Sequence, residues 1–317
     1  MGEIQIVGDY RNSATRMACP STSRRCLAII GLLLAPAAGF DALPARAAVP
    51  LRRTPAPVAT LPSLAALTAA SVAPTCLGFW KNGYAVSYAY GGAMAAGALL
   101  TLPHTSGLAA AHALAYIFYG VRLNLFLLYR ELALPESVHQ MVNRPAGLKE
   151  RLKRAPIILG CSGLYFCMLA SLRVTATIGT TMSGPSGMAV GLMYAGLGIA
   201  ALGDTVKSVV KAKEGKDTLV TAFPHNLLRH PNYTGEFFGW TASFAAAILA
   251  AASSGTLLSS AVWLIAAAVG TAGIQFVLAG AAGGLEKKQK EKHGGSAEYD
   301  EWIRQSWPGP VLAKSAE

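Results

Sequence analysis

Residues 226–240 read NLLRHPNYTGEFFGW and place polar and charged side chains immediately before and inside an apolar run. Arg229 and His230 stand just outside the run, and Pro231 suits the first turn of a helix, where a missing N–H costs nothing. Helix N-termini expose unpaired N–H groups and carry a partial positive charge. The stretch therefore predicts an anion site at a membrane surface, suited to a phosphate or pyrophosphate.

Glu236 makes the same stretch more informative, because it lies one helical turn after Asn232 and shares a helix face with it. A carboxylate inside a membrane span is costly unless it is paired or faces a wet cavity. Arg229, His230 or a group of a bound ligand could be its partner. The alternative is structural, with Asn232 and Glu236 capping the helix and Arg229 extending to lipid headgroups.

The composition indicates which elements must position these side chains. The chain is 53% hydrophobic and 14% charged, whereas soluble domains carry about 25% charge. The charges fall in clusters between long apolar stretches rich in glycine and alanine, which favour close helix packing in lipid. We therefore predict an all-α, polytopic integral membrane protein with about seven transmembrane helices. The predicted spans are 57–79, 84–102, 107–129, 155–173, 187–204, 233–253 and 257–284.

The distribution of basic residues predicts the orientation. If the spans alternate, Lys81, the loops 130–154 and 205–232 and the tail from 285 share one side, which holds most of the lysine and arginine. The positive-inside rule places this side, with the C-terminus, in the cytosol or stroma. The net charge of +11 then reflects membrane topology, so the bilayer and not nucleic acid is the predicted partner. Among the five cysteines, no spacing indicates a metal site.

Residues 1–55 are predicted to be a targeting leader, followed by a membrane domain over 56–317. Residues 17–40 have a basic start, a short apolar run and small residues at the end, as a secretory signal does. The following segment is rich in arginine and poor in acidic residues, as transit peptides are. Such a two-part leader predicts a plastid membrane, and a simple secretory leader predicts the endoplasmic reticulum.

The motif carries a family resemblance. LLRHPNYTGEFFGW resembles the pattern S-R-H-P-N-Y-x-G-E-x-x-x-W of the membrane family that includes steroid 5-alpha-reductase-like proteins, the DUF1295 group. Leu228 departs from it, because serine is usual there. The tail GGLEKKQKEKHGGSAEYDEWIRQSWPGPVL resembles the ending of the same family, and GVRLNLFLLYRE resembles an earlier span of it. The resemblance covers about 110–317 and is strongest at 204–240 and 284–310.

The resemblance implies an enzyme that transfers hydride from NADPH to an activated C=C bond, an enone or enoyl group, of a lipid such as a sterol or polyprenoid. It implies a cofactor-binding half over about 185–317, with Asn232 near the nicotinamide and Lys211 on a phosphate. Tyr233 or Tyr299 would donate the proton, tuned by Glu236. The candidate cofactor contacts are Asp204, Lys211, Arg229, His230, Asn232, Glu286, Lys290, His293 and Tyr299.

The glutamate and tyrosine that polarise the substrate in steroid reductases have no match in the early spans. Arg122 inside an apolar run is a candidate functional group, and its alternatives are snorkelling to the surface or a salt bridge with Glu131.

Two other functions remain open from the sequence. Isoprenylcysteine carboxyl and phospholipid methyltransferases share Arg-His-Pro-x-Tyr-x-Gly and bind S-adenosylmethionine, but their tail usually holds a Glu-Glu pair where this chain has Glu286-Lys287. The chain could also be a non-catalytic membrane subunit.

Overall fold

The computed structural model describes residues 61–133, 147–179, 182 and 184–311. The chain divides into the units Met1–Thr54 and Pro55–Glu317, and every described residue belongs to the second. The predicted leader, residues 1–55, lies outside the described residues.

The described residues form helices joined by short turns, and no strand occurs among them. The helices are α1 (Leu64–Thr75), α2 (Leu77–Trp80), α3 (Tyr88–Thr101), α4 (Gly107–Ala133), α5 (Leu148–Leu152), α6 (Ala155–Ile178), α7 (Pro185–Glu214), α8 (Pro231–Ser253), α9 (Ala261–His293) and α10 (Ala297–Gln305). Two 3₁₀ turns, Asn82–Ala85 and Leu102–His104, flank α3. This architecture confirms the predicted all-α fold.

Six stretches of the described chain are long and apolar enough to cross a membrane. They are Gly83–His104, Gly107–Leu132, Leu148–Ile178, Pro185–Glu214, Pro231–Ser253 and Ala261–His293. Of the first predicted span, 57–79, residues 61–79 are described, and the apolar stretch found there is Leu64–Trp80. Pro74 lies one residue before the end of α1, where its missing N–H and its ring oppose continuation of the helix.

Helices α7 and α8 pack against each other through small residues. A Cβ added at Gly196 would lie 2.6 Å from the carbonyl oxygen of Gly235 and 2.8 Å from the backbone nitrogen of Gly239. A Cβ added at Gly203 would lie 3.0 Å from the backbone nitrogen of Asn232. Small residues spaced one turn apart allow such close approach in lipid. The packing brings the middle of α7, including the residues around Asp204, against the first turn of α8.

An aromatic core fills the space among α3, α4, α6 and α8. The rings of Tyr90 and Tyr165 stack at 5.4 Å, and the ring of Tyr119 lies 5.2 Å from that of Tyr90. Trp240 packs edge-on against Tyr119 at 5.0 Å and against Tyr116 at 5.1 Å. Offset and edge-on aromatic pairs add to the stabilisation from burial, so these rings fix the interior wall that faces Glu236.

The C-terminal segment folds back over the loop that precedes α8. The backbone N–H of Arg229 donates to the carbonyl of Trp307 at 2.9 Å, and that of Trp307 donates to Leu227 at 2.8 Å. The indole N–H of Trp302 donates to the carbonyl of His225 at 2.7 Å. Gly309 has φ +76° and lies so close to Thr234 that an added Cβ would clash with its hydroxyl. The tail is thereby seated on the start of α8.

Candidate functional site

Glu236 lies in the interior, 6% exposed, with two tyrosine hydroxyls on one of its oxygens. Tyr119 donates to Oε2 at 2.8 Å, and Tyr90 reaches the same oxygen at 3.4 Å. Within the described part of the chain, Oε1 accepts no hydrogen bond. The protein partners of Glu236 are therefore tyrosines from α3 and α4, and not Arg229 or His230, which the sequence had offered as alternatives to a ligand group.

The surroundings of this carboxyl are aromatic and buried. Tyr119 and Trp240 are 0% and 2% exposed, and their rings touch edge-on beside Glu236. Hydrogen bonds are stronger where the local dielectric is low. A phenol and a carboxyl hydrogen-bonded in such a place form a donor pair that can move a proton.

Arg122 pairs with Asp204 in the same interior. Its Nη1 lies 2.6 Å from Oδ2 of Asp204, and the arginine is 6% exposed. Its Nε and Nη2 are buried and have no hydrogen-bond partner among the described residues. Arg122 therefore neither snorkels to the surface nor bridges to Glu131, the two alternatives considered from the sequence. Since buried polar groups are almost always satisfied, the two unpaired nitrogens mark a place where a ligand acceptor would fit.

Glu131 instead fastens the start of α3 to the end of α4. Lys81 donates to it at 2.6 Å, and the hydroxyls of Tyr84 and Tyr88 donate at 2.6 Å and 2.9 Å. The hydrogen bond with Glu131 raises the pKa of Lys81. The cluster is fully paired, so we assign it a structural role.

All three guanidinium nitrogens of Arg229 are hydrogen-bonded within the protein. Its guanidinium donates to Glu286 at 3.1 Å, to the carbonyl of Ser306 at 3.2 Å and to that of Ile303 at 3.2 Å. His230 contacts the other oxygen of Glu286 at 2.8 Å. Three predicted cofactor contacts, Arg229, His230 and Glu286, thus meet one another. A phosphate at the start of α8 would have to compete with Glu286 for them.

Asn232 and Tyr233 keep their polar groups free. Neither side chain makes a hydrogen bond within the described part of the chain, and both are half-buried. Asn232 lies one turn toward the surface from Glu236, and the ring of Tyr233 is 6.4 Å from that of His230. Both remain available to a ligand between the surface and the interior carboxyl.

The remaining predicted contacts are distributed around the tail. Lys211 donates to the carbonyl of Lys216 at 2.7 Å, and Lys290 is exposed. The rings of His293 and Tyr299 stack at 6.5 Å. Burial against Trp302 and its neighbours raises the pKa of Tyr299. Tyr299 therefore packs with Leu219 and Trp302, and the structure does not bring it to Glu236.

Sequence reasoning missed the tyrosines on Glu236. A signal was present, because Tyr119 stands one turn before Arg122 and one turn after Tyr116 in an apolar run. His112 continues the same stripe one turn earlier. The stripe predicts a polar face on α4, but its partner on α8 depends on how the helices pack.

The fold and the site define an all-α polytopic membrane protein with polar groups buried in its interior. A family model described as "Protein of unknown function (DUF1295)" matches residues 79–306. The chain therefore belongs to the DUF1295 family. No curated protein and no solved structure matches it.

Proposed function

We propose that this chain is a membrane reductase that transfers hydride from NADPH to an activated C=C bond of a lipid enone or enoyl compound, such as a sterol or polyprenoid derivative. The observation that carries the proposal is the hydrogen bond between Tyr119 and Glu236, at 2.8 Å in a buried aromatic interior. Reduction of a conjugated double bond requires a proton donor that can also hold the charge developing on the carbonyl oxygen. A tyrosine backed by a carboxyl supplies both.

The residues around this pair fit a phosphate-bearing nicotinamide cofactor. Within the part of the chain that the structure describes, the amide of Asn232, one turn from Glu236, and two buried nitrogens of Arg122 have no hydrogen-bond partner. Lys207 and Lys211 stand on the face of α7 that carries Asp204. Asn232 would hold the nicotinamide end and the lysines the phosphates. When bound, NADPH supplies the hydride, and the protein supplies position and electrostatics.

The protein's own step is a proton transfer. As the β-carbon of the substrate gains a hydride, the π electrons of the conjugated bond move toward the carbonyl oxygen. When Glu236 is protonated, its hydrogen bond with Tyr119 reverses and the carboxyl O–H donates to the tyrosine oxygen. Tyr119 then gives its own proton to the substrate oxygen and takes the carboxyl proton in exchange. Rearrangement of the resulting enol gives the saturated carbonyl, so the net addition is one hydride and one proton. Glu236 regains its proton from solvent between turnovers.

The contact geometry favours Tyr119 over Tyr233 as donor, because Tyr119 is hydrogen-bonded to Glu236 and Tyr233 is not. The two phenols make a matched pair for a test on the purified protein with a panel of lipid enones and NADPH. We expect Tyr119→Phe to lower the rate about 10²- to 10⁴-fold, the usual contribution of a positioned acid. Tyr233→Phe should change it far less, and the reverse ranking would return the role to Tyr233.

Cofactor class is tested first by thermal shift of the protein with NADPH, NADH and S-adenosylmethionine in parallel. A ligand that binds only the folded state raises its stability, so we expect stabilisation by NADPH that Asn232→Ala abolishes. Asn226→Ala, in the exposed loop before the motif, is the matched control. Stabilisation by S-adenosylmethionine alone would instead support a methyltransferase. No shift with any of the three would support a non-catalytic subunit.

A further inference from the structure

The starts of α1 and α9 and the ends of α3 and α6 meet at one end of the helices, here called the neutral face. Arg173 of α6 donates to the carbonyl of Pro62, just before α1, and its guanidinium lies 5.0 Å from the ring centre of Trp263 in α9. Thr101, the last residue of α3, lines a groove together with Arg173. Arg173 is the one Asp, Glu, Lys or Arg among the described residues of this face, which are 61–67, 98–105, 169–179 and 257–265.

The guanidinium of Arg173 is only partly satisfied. Nη1 donates to the carbonyl of Pro62, whereas Nε is buried without a partner and Nη2 makes no hydrogen bond among the described residues. Within the same part of the chain, Arg173 forms no ion pair. A charge taken out of water is unfavourable unless it is paired. Since the described residues of the neutral face include no carboxylate, the counter-charge has to come from elsewhere.

Cations at other places in the helix bundle differ from Arg173 in having a carboxylate partner. The pairs are Arg122–Asp204, Lys81–Glu131 and Arg229–Glu286, with N···O distances of 2.6, 2.6 and 3.1 Å. Trp263 contributes a cation–π contact to Arg173, which holds the guanidinium in place but brings no negative charge. An ionisable side chain within a membrane span is by default a sign of function.

An apolar groove adjoins Arg173 between α1, α3 and α6. Leu67 of α1 and Leu169 and Leu172 of α6 line it. The hydroxyl of Thr101 also lines the groove, but it donates to the carbonyl of Gly97 at 2.7 Å and is thereby satisfied. A cation beside an apolar lining suits an amphiphile with an anionic head.

The depth of Arg173 matches the headgroup region of a bilayer. The candidate span Leu148–Ile178 ends five residues after Arg173, which is about 7.5 Å along a helix. A long arginine side chain bridges such a distance and keeps its charge near the membrane surface. The occupant is therefore drawn from the bilayer.

We propose that Arg173, with Trp263 and the groove, is a binding site for a phospholipid with a net negative headgroup. The guanidinium would donate to the phosphate oxygens, since its planar fork matches phosphate geometry. The groove would take part of an acyl chain. A zwitterionic lipid fits less well, because its ammonium group would lie near Arg173 with no carboxylate among the described residues of this face to hold it.

This site does not rest on the proposed function. Tyr165, which stacks on Tyr90 beside Glu236, precedes Arg173 by eight residues. Eight residues correspond to about 12 Å along α6. Lipid selectivity at Arg173 and reduction at Glu236 can therefore fail separately.

The test is quenching of tryptophan fluorescence by brominated lipid, because Trp263 lies against Arg173. The full chain is reconstituted in phosphatidylcholine vesicles that hold rising fractions of brominated phosphatidylglycerol, and brominated phosphatidylcholine serves as reference. Subtracting the emission of the matching Trp263→Phe protein isolates the signal of Trp263. Hydrogen bonds to charged groups justify an expected preference of about tenfold for phosphatidylglycerol at this tryptophan.

Four variants decide the outcome. Arg173→Gln should abolish the preference, and Arg173→Lys should keep part of it, since the charge stays and the fork is lost. Lys213→Gln, exposed in the last turn of α7, is the control for net charge and should behave as the wild type does. Ala176→Leu keeps the guanidinium but fills the groove, so it should also lower the preference and serves if Arg173→Gln does not fold.

Three results would overturn the site. The first is a wild type that quenches equally with both lipids. The second is a preference that survives in Arg173→Gln or, where that variant does not fold, in Ala176→Leu. The third is an equal loss in Lys213→Gln, which would assign the preference to the net charge of the protein.

Discussion

Two polar networks are buried among the same helices, and they differ in how completely they are satisfied. In the first, Nδ1 of His112 lies 3.0 Å from the hydroxyl of Thr175, and Nε2 lies 2.9 Å from that of Ser243. Tyr116 contacts Ser243 at 2.9 Å and donates to the carbonyl of Met168. In the second, both tyrosines meet one oxygen of Glu236, and the other oxygen accepts no hydrogen bond from the described residues.

The difference separates a structural network from a candidate site. A fully satisfied buried network rigidifies the helices that it joins, here α4, α6 and α8, and offers nothing to a ligand. A partly satisfied network is costly unless something else completes it. Trp240 divides the two, with its ring about equally close to Tyr116, at 5.1 Å, and to Tyr119, at 5.0 Å. We therefore expect changes in the first network to affect folding and changes in the second to affect activity.

The largest expected effect is in the Glu236 network. Glu236→Gln keeps the shape of the side chain but removes the proton that it exchanges with Tyr119, so reduction of a lipid enone should fall about 10²- to 10⁴-fold. The melting temperature should change little. The measurement pairs NADPH-dependent turnover with thermal unfolding in the same detergent. Unfolding of the variant would contradict the comparison by making Glu236 structural.

The next effect is in the His112 network. His112→Leu leaves the hydroxyls of Ser243 and Thr175 without their histidine partner, at a cost of about 1–3 kcal/mol in the free energy of unfolding. NADPH binding should persist wherever the variant remains folded. Chemical denaturation monitored by tryptophan fluorescence measures the loss, with the exposed His104→Leu as control. A variant of normal stability that no longer reduces substrate would place His112 in the site.

A smaller loss of stability is expected at Thr175. Thr175→Val removes the hydroxyl that contacts Nδ1 of His112 and keeps the shape of the side chain. Hydrogen bonds between membrane helices contribute about 0.6 kcal/mol on average and up to about 1.7, so we expect about 1 kcal/mol. Thr177→Val, exposed on the same helix, should cost less. Equal losses at both positions would show that the contact with His112 contributes no stability.

The smallest expected effect is at His225, which lies outside both networks. It has to be allowed for when stability is measured at acidic pH. Burial lowers the pKa of His225 to about 4, below the ordinary value of about 6.5. The unfolded chain therefore binds a proton first as the pH falls below about 6.5. The free energy of unfolding should therefore be about 0.8 kcal/mol lower at about pH 6 than at neutral pH. His225→Gln should remove this slope, and a slope that survives belongs to another group.

Much of the fold could be predicted from the sequence. The long apolar stretches predicted the six helices that meet the length and composition of a span, because crossing a bilayer imposes both. Of the first predicted span, 57–79, the structure describes residues 61–79, in which α1 ends at Thr75 and α2 begins at Leu77. Family membership was also predicted, because the motif residues lie close together in the sequence, within 229–240, and can be recognised without knowing the fold.

Of the candidate site, the residues on α7 and α8 were predicted and the tyrosines on α3 and α4 were not. Asn232, Glu236 and Asp204 were found because an isolated polar group in an apolar run is conspicuous in any sequence. Their partners were not found, since Tyr119 and Tyr90 are far from Glu236 along the chain and sit among many other aromatic residues. The contacts of Glu286 with Arg229 and His230 were not predicted either, because these residues are also far apart along the chain.

The sequence by itself determined that this chain spans a membrane with polar groups at particular depths, because hydrophobicity and helical rise are local properties. Tertiary structure decided which polar groups meet. Close contact between Gly196 and Gly235 sets α7 against α8, and the packing of α3 and α4 puts two phenols on one carboxyl. Hydrogen bonding acts over about 3 Å, so only the folded packing distinguishes the two residues. One oxygen of Glu236 has no partner among the described residues, whereas both ring nitrogens of His112 have one.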